Sequence, residues 1–139
     1  MSAEANMELV RQWVEQVWNT SNVQRIIDFH PPTFDNEGKR STPEEAKQWH
    51  LSNRITFPDL HYIIDDIFAT EDRVAMRWTA TATHLGTMWN MIPPTGKLIT
   101  WNGMHLLRLA DKKIVEVWAL QNNIAQLRQM GATLHPTDG

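Results

Sequence analysis

The chain contains no cysteine. That absence removes disulfide frameworks, thiolate metal sites and cysteine nucleophiles together, while leaving the compartment open. A basic excess is also missing: 13 lysines and arginines stand against 16 aspartates and glutamates, a net charge of −3. Phosphate backbones and anionic membranes select cationic surfaces, so neither nucleic acid nor a membrane is an expected partner. No apolar run approaches the ~18 residues of a membrane span. The opening Met1-Ser2-Ala3-Glu4-Ala5-Asn6 has neither a basic leader nor an apolar stretch, and the expectation is a cytoplasmic protein. Internal repeats and low-complexity tracts are lacking too. The histidines are scattered without the close His or carboxylate spacing that holds a metal.

What is present is aromatic and thioether bulk. The 139 residues suit a single domain, 1–139, and a chain of this size buries roughly 70% of the surface it exposes unfolded. Seven tryptophans and seven methionines fill a core or wall a ligand cavity, and large flat side chains suit large flat ligands.

From Ala3 to Asn19, Met7, Val10, Trp13, Val14, Val17 and Trp18 recur every three or four residues, the mark of an amphipathic helix. A second helix is expected from Val23 to Phe29, stopped by Pro31-Pro32, and the polar stretch from Asp35 to Lys39 reads as a loop. Thr42-Pro43-Glu44-Glu45 supplies an N-cap, a first-turn proline and the acidic member of a capping box, so a third helix starts there and ends before Pro58. Extended segments follow over Leu60 to Ala69, Arg73 to Thr83, Leu98 to Leu109 and Ile114 to Gln121. Helices first and antiparallel strands afterwards make the fold α+β.

An even-length turn at Ala110 to Lys113 pairs Leu109 with Ile114, and uninterrupted pairing then sets His105 opposite Trp118 and Trp101 opposite Asn122. One face is expected to gather Trp101, His105, Trp118 and Asn122, aromatic walls with a few polar heads, as in a small-molecule pocket. The other carries Met104, Leu106, Val115 and Val117, and predicts a homodimer through that face. By strict alternation, Asp65 and Asp66 point to opposite faces and form no shared-proton dyad, Arg108 and Glu116 do not pair, and Arg77 has no nameable partner.

In order and spacing, Phe57-Pro58-Asp59-Leu60, Asp72-Arg73-Val74-Ala75, Thr83-His84-Leu85-Gly86, Ile92-Pro93-Pro94-Thr95-Gly96-Lys97, Leu107-Arg108-Leu109, Lys113-Ile114-Val115-Glu116-Val117-Trp118 and Leu127-Arg128-Gln129-Met130-Gly131 resemble the SnoaL-like polyketide cyclase family, over about Met7 to Gly131. The resemblance implies the cone-like, nuclear-transport-factor-two-like α+β barrel, a curved antiparallel sheet wrapped by N-terminal helices. It also implies frequent dimerisation, no metal and no cofactor, and closure of an aromatic polyketide ring by an intramolecular aldol reaction. That chemistry needs a base at a carbon beside carbonyls and donors for the enolate oxygen. The family's base is an Asp four residues after the motif Trp. Here the position is Asn122, an amide with no proton affinity near neutral pH, so that role does not carry over.

The candidate catalytic residues are therefore His105, the titratable group on the pocket face, and Asn122, which either contacts ligand or caps the helix beginning near Ile124. Trp101 and Trp118 are candidates for stacking on a ligand, His84 for holding the loop after it, and Trp49, Asn53 and His50 for roofing the cavity. The leading function is cofactor-independent chemistry, aldol closure or a related hydroxylation, on a hydrophobic cyclic or enolisable small molecule. The alternative is a non-catalytic lipophile-binding or dimerisation module. Epoxide hydrolysis needs an Asp-Arg-Asp constellation whose spacing is not found.

Overall fold

Residues 1–132 are described by the computed structural model, which leaves 133–139 of the expected domain outside the described residues. Val10 and Trp13 lie on the buried face of α1 (Ala3–Trp13), which Ser2 caps by accepting the Ala5 N–H at 3.0 Å. The periodic run then widens: Val14–Trp18 is a π-helical turn, closed by the Asn19 N–H donating to the Val14 carbonyl at 3.0 Å. On a continued α-helix, residues five apart would point about 140° away from each other. The wider turn instead brings Trp13 and Trp18 together, ring centroids 4.9 Å apart, on the side facing the sheet. A 3-10 helix over Val23–Asp28 follows.

The stretch expected as a loop is a hairpin. β1 (Phe34–Asn36) and β2 (Lys39–Ser41) are antiparallel, with Glu37 and Gly38 both at positive φ, 52° and 82°, the two-residue turn whose twist matches flanking strands. Three-residue strands are too short to show alternation, and Glu-Gly is a weak turn signal. α2 (Pro43–Thr56) begins as expected, with the Thr42 hydroxyl accepting the Glu45 N–H at 3.2 Å. The Glu45 carboxylate accepts the Ser41 hydroxyl rather than closing a capping box.

β3 (His61–Ala69), β4 (Arg73–Thr83), β5 (Leu98–Ala110) and β6 (Lys113–Gln121) form an antiparallel meander, and α3 (Asn123–Gln129) closes the described chain. The sheet is curved and open, in the order β2-β1-β6-β5-β4-β3, with β1 parallel to β6. The helices cover its inner face, where Val74, Ile99, Leu107 and Ile114 are fully buried.

Two β-bulges correct the expected alternation. In β6, Leu109 pairs with Ile114 but Arg108 pairs with Glu116, so Val115 is an extra residue. Upstream the partners become Leu107 with Val117, Leu106 with Trp118 and His105 with Ala119. Val117 thus turns inward and Trp118 outward, and Arg108 donates to Glu116 at 2.8 Å across the pair that strict alternation denied. In β3 the extra residue is Asp65, which sets Asp66 opposite Arg77. Both carboxylates consequently reach that guanidinium, at 2.6 Å for Asp66 and 3.5 Å for Asp65.

One arginine fastens the helices to the sheet. Arg54 on α2 donates to the carbonyls of Trp18 at 2.6 Å, Thr20 at 2.8 Å and Leu60 at 2.9 Å, tying the end of the π turn to the entry of β3. Among the described residues no helix is long and apolar enough to cross a membrane. Lysine keeps the charge at this knot but loses the planar fork, so Arg54→Lys is expected to cost about 2 kcal/mol. A lowered urea midpoint at unchanged m-value measures this; an unshifted midpoint would show that the knot is not what holds the helices down.

Candidate functional site

Between the inner face of the sheet, the π turn and α2 lies a cavity of about 330 Å³. Its walls are Trp13, Trp18, Phe34, Trp78 and Val117, and its polar groups include His30, His50, His105 and Tyr62, with the amides of Asn36 and Asn123. Glu37, Trp49, Leu120 and Gln121 form an exposed rim, and among the described residues Glu37 is the lone formally charged side chain of the lining, with no lysine or arginine.

His105 projects inward from β5. Beside it Trp78 pairs with Gly103, where an added Cβ would lie 2.2 Å from the indole. Glycine at that position lets the ring lie across β5, and the Trp78 Nε1–H donates to His105 Nδ1 at 2.9 Å. An indole nitrogen only donates, so His105 Nδ1 holds the lone pair and its proton sits on Nε2. Burial, with His50 nearby, pushes the His105 pKa down to about 3.

His30 is fixed in the opposite sense. It follows the 3-10 helix in a segment bolted to β6, since the Ile114 N–H donates to the Phe29 carbonyl at 2.7 Å. The His30 Nδ1 lies 2.9 Å from the Ile114 carbonyl oxygen. A carbonyl only accepts, so Nδ1 carries the proton and the lone pair is left on Nε2. The ring stacks on Phe34 at 4.0 Å. Burial pushes its pKa down to about 4, against the rise from the Ile114 hydrogen bond, and Lys113 lowers it further. Burial does the same to His50, again to about 4, with His30 and Arg54 adding to the shift. Tyr62 accepts from Asn53 Nδ2 at 3.2 Å, and burial raises its pKa above the ordinary phenol value. At neutral pH the cavity therefore holds three uncharged imidazoles, two of them locked in opposite tautomers.

Of the residues expected at the site, His105 and His50 line the cavity and Trp49 stands at its exposed rim. Asn53 sits behind the wall as the donor to Tyr62. Trp101 is buried core rather than lining, packed on Phe57 at 4.9 Å and donating to Gln121 at 3.0 Å. Trp118 is on the outer face, donating to Glu116 at 2.8 Å, because the Val115 bulge turned it over. His84 is fully buried, its Nδ1 within 3.0 Å of the Thr95 hydroxyl across the loop it anchors, and burial lowers its pKa. Asn122 caps α3, its Oδ1 accepting the Ala125 N–H at 3.0 Å, while Gln121 and Asn123 on either side line the cavity. An Asp-Arg-Asp trio does exist, at Asp65, Arg77 and Asp66, but none of the three lines this cavity. Among the described residues no group of His, Asp and Glu is placed to hold a metal.

His30 and Tyr62, with Trp13, Trp18 and Trp78, were not singled out as site residues by sequence reasoning. The tryptophans read as helix and strand core, which they also are. His30 sits beside Pro31-Pro32 with no periodicity to place it; only the pairing of Phe29 with Ile114 reveals its position.

The family model for SnoaL-like polyketide cyclase matches residues 8–130. AclR, a candidate hydroxylase from Streptomyces galilaeus, is 31% identical over 94% of this chain and 98% of its own, with a TM-score of 0.81. IdmH, a candidate polyketide cyclase from Streptomyces antibioticus, superposes with a TM-score of 0.80 at 23% identity, covering 91% of this chain and 98% of its own. A SnoaL-like polyketide cyclase from Agrobacterium tumefaciens strain C58 gives 0.80 at 17% identity, over 94% and 100%; the last two likenesses are of fold. No curated protein sequence matches the chain.

Imidazoles with depressed pKa values make the fold acid-sensitive. Below the ordinary 6.5 the unfolded chain takes up protons that the folded histidines refuse until about 4 or 3, so stability is intact above 6.5 and is lost as pH falls toward 4. Between pH 7 and 5 the three histidines bind more protons in the unfolded chain than in the folded one, so unfolding at pH 5 should cost at least about 1 kcal/mol less than at pH 7. Nitrogen-15 NMR should find Nδ1–H in His30 and Nε2–H in His105. An unchanged urea midpoint, or the reverse tautomers, would refute this electrostatic picture.

Proposed function

Because the chain belongs to the SnoaL-like polyketide cyclase family, we propose that its cavity binds a flat, uncharged, enolisable molecule of the polyketide class and activates a carbonyl by hydrogen bonding from His105 Nε2–H, leading to aldol-type ring closure. The observation that supports this most directly is the Trp78 to His105 bond, which commits a neutral imidazole to donation where oxygen charge would develop. Aromatic walls suit a planar ring system, and a lining that has no lysine or arginine among the described residues and Glu37 at the rim disfavours a free carboxylate. The buried indole N–H groups of Trp13 and Trp18 have no partner among the described residues. Each unmet donor costs about 1–3 kcal/mol, a load that an oxygen-rich ligand or its waters would relieve. Likeness to AclR favours hydroxylation of the same ligand class as a second reading; a product heavier by an oxygen atom would select it. Chemistry without metal or cofactor remains part of the proposal.

With 2-tetralone as probe, binding should quench tryptophan emission, and the wild type should speed deuterium exchange at C1. His105→Phe should lower that rate by about 10²-fold, and His105→Gln, which keeps an N–H near Nε2, should retain part of it. Asn122→Asp should change neither rate nor melting temperature, since Asp caps a helix as well as Asn. Exchange by His105→Phe as fast as wild type would remove the assignment.

A second copy of the chain is the protein partner in this proposal. The outer face exposes Phe68 (69%), Met104 (60%) and Leu106 (44%) beside Trp118 and Leu120. The ion pairs Arg77 with Asp65 and Asp66, and Arg108 with Glu116, lie among them, so both charge signs are available to a self-complementary two-fold contact. Trp118 and Leu120 occupy the place that strict alternation gave to Val115 and Val117. Sedimentation at micromolar concentration should show a dimer that Met104→Glu with Phe68→Glu converts to monomer; a monomeric wild type would exclude it.

A further inference from the structure

An enolisation needs a proton acceptor as well as a donor, and few lining groups qualify. His105 has its acceptor nitrogen occupied by the Trp78 N–H. The Tyr62 oxygen accepts from Asn53 and stays protonated at neutral pH. Glu37 sits in the exposed β1–β2 turn, and the amides of Asn36, Gln121 and Asn123 are not bases. His50 has neither nitrogen committed to a protein partner among the described residues, so no tautomer is imposed on it. His30 differs from all of these: its Nδ1–H is spent on the Ile114 carbonyl at 2.9 Å, its ring is held by stacking on Phe34, and its Nε2 has no partner among the described residues. That nitrogen is also absent from the buried atoms lacking a partner, as an atom open to the cavity would be.

We propose that His30 is the general base of this cavity, its Nε2 lone pair, fixed by the Nδ1–H bond to the Ile114 carbonyl, taking the proton from the carbon beside the carbonyl that His105 holds. This rests on the oxygen-polarising role proposed for His105. The C–H bond breaks, its proton goes to His30 Nε2, and its electron pair becomes the enolate, whose oxygen accepts from His105 Nε2–H. In ring closure the enolate carbon then bonds to a second carbonyl carbon of the same molecule, and the alkoxide so formed recovers the proton from His30. Nothing is oxidised or reduced and no co-reactant is consumed. Trp13 lies 5.9 Å from His30 and 6.1 Å from His105, centroid to centroid, so one indole flanks both groups and a flat ligand beside it meets acceptor and donor together. The carbonyl supports the charged form of His30, which stabilises the imidazolium as it forms.

Asn in place of His30 keeps an N–H near the Nδ1 position for Ile114 but has no second nitrogen. His30→Asn should therefore bind 2-tetralone within about twofold of wild type by tryptophan quenching, yet exchange its C1 protons roughly a hundredfold more slowly. In His30→Ala, free imidazole should restore part of the rate. Exchange by His30→Asn within about threefold of wild type, with His105→Phe impaired, overturns the base assignment and leaves the His105 role standing. Loss of binding in parallel with rate, with no rescue by imidazole, makes His30 structural and overturns it as well. A wild type that binds but does not speed exchange overturns both roles.

Discussion

A single inserted residue in β6 decides what the cavity contains. In a strand the side-chain period is two, so a one-residue shift exchanges the faces of everything beyond it. Val115 is that shift: it sends Val117, Ala119 and Gln121 toward the cavity and Trp118 away from it. The bulge also sits next to Ile114, whose N–H and carbonyl hold Phe29 and His30. Bulges interrupt the ladder and re-aim neighbouring groups, and here the interruption is the place where the segment after the 3-10 helix docks. Cavity wall, His30 orientation and outer apolar face all follow from this one local irregularity.

The second bulge, at Asp65, works on electrostatics rather than shape. By placing both carboxylates within reach of Arg77 it gathers three charges on a surface away from the cavity. The histidines inside the cavity are neutral at neutral pH because burial penalises the imidazolium, for His30 by more than its hydrogen bond to the Ile114 carbonyl favours it. Neutral imidazoles can be committed to a single tautomer by a single partner, and Trp78 and Ile114 do this in opposite directions. Gly103 is part of the same device, since any side chain there would push the Trp78 ring out of reach of His105.

The α+β order, the helix starts at Ala3 and after Thr42, the limits of the four long strands to within a residue and the turn that pairs Leu109 with Ile114 were legible because each depends on residues close in sequence. The resemblance carried the curved-sheet architecture. Legibility ended where one residue was added to a ladder, since neither Asp65 nor Val115 carries a local sign of irregularity. It ended again at His30, whose role depends on a carbonyl 84 positions away. Trp118 and Trp101 looked like pocket walls because tryptophan suits a wall, a sheet exterior and a core equally well; only the register tells them apart. Asn122 kept both of its open readings in the sequence, and the short distance to the Ala125 N–H shows it as a cap.

A cavity that begins with neutral partners faces an energetic problem when it transfers a proton, because an ion pair appears where water is scarce. Charges in such surroundings interact strongly, and they are tolerated only when each meets a preset dipole. Here the dipoles are already in place at both ends. Enolate oxygen on His105 would rest on an imidazole whose rear nitrogen is fed by the Trp78 N–H, a relay that strengthens donation. Imidazolium on His30 would rest on the Ile114 carbonyl, with Glu37 at the rim as the nearest formal negative charge in the lining. The empty site then favours neutrality while the reacting site favours separation, and the difference between the two is where catalysis by this arrangement has to come from.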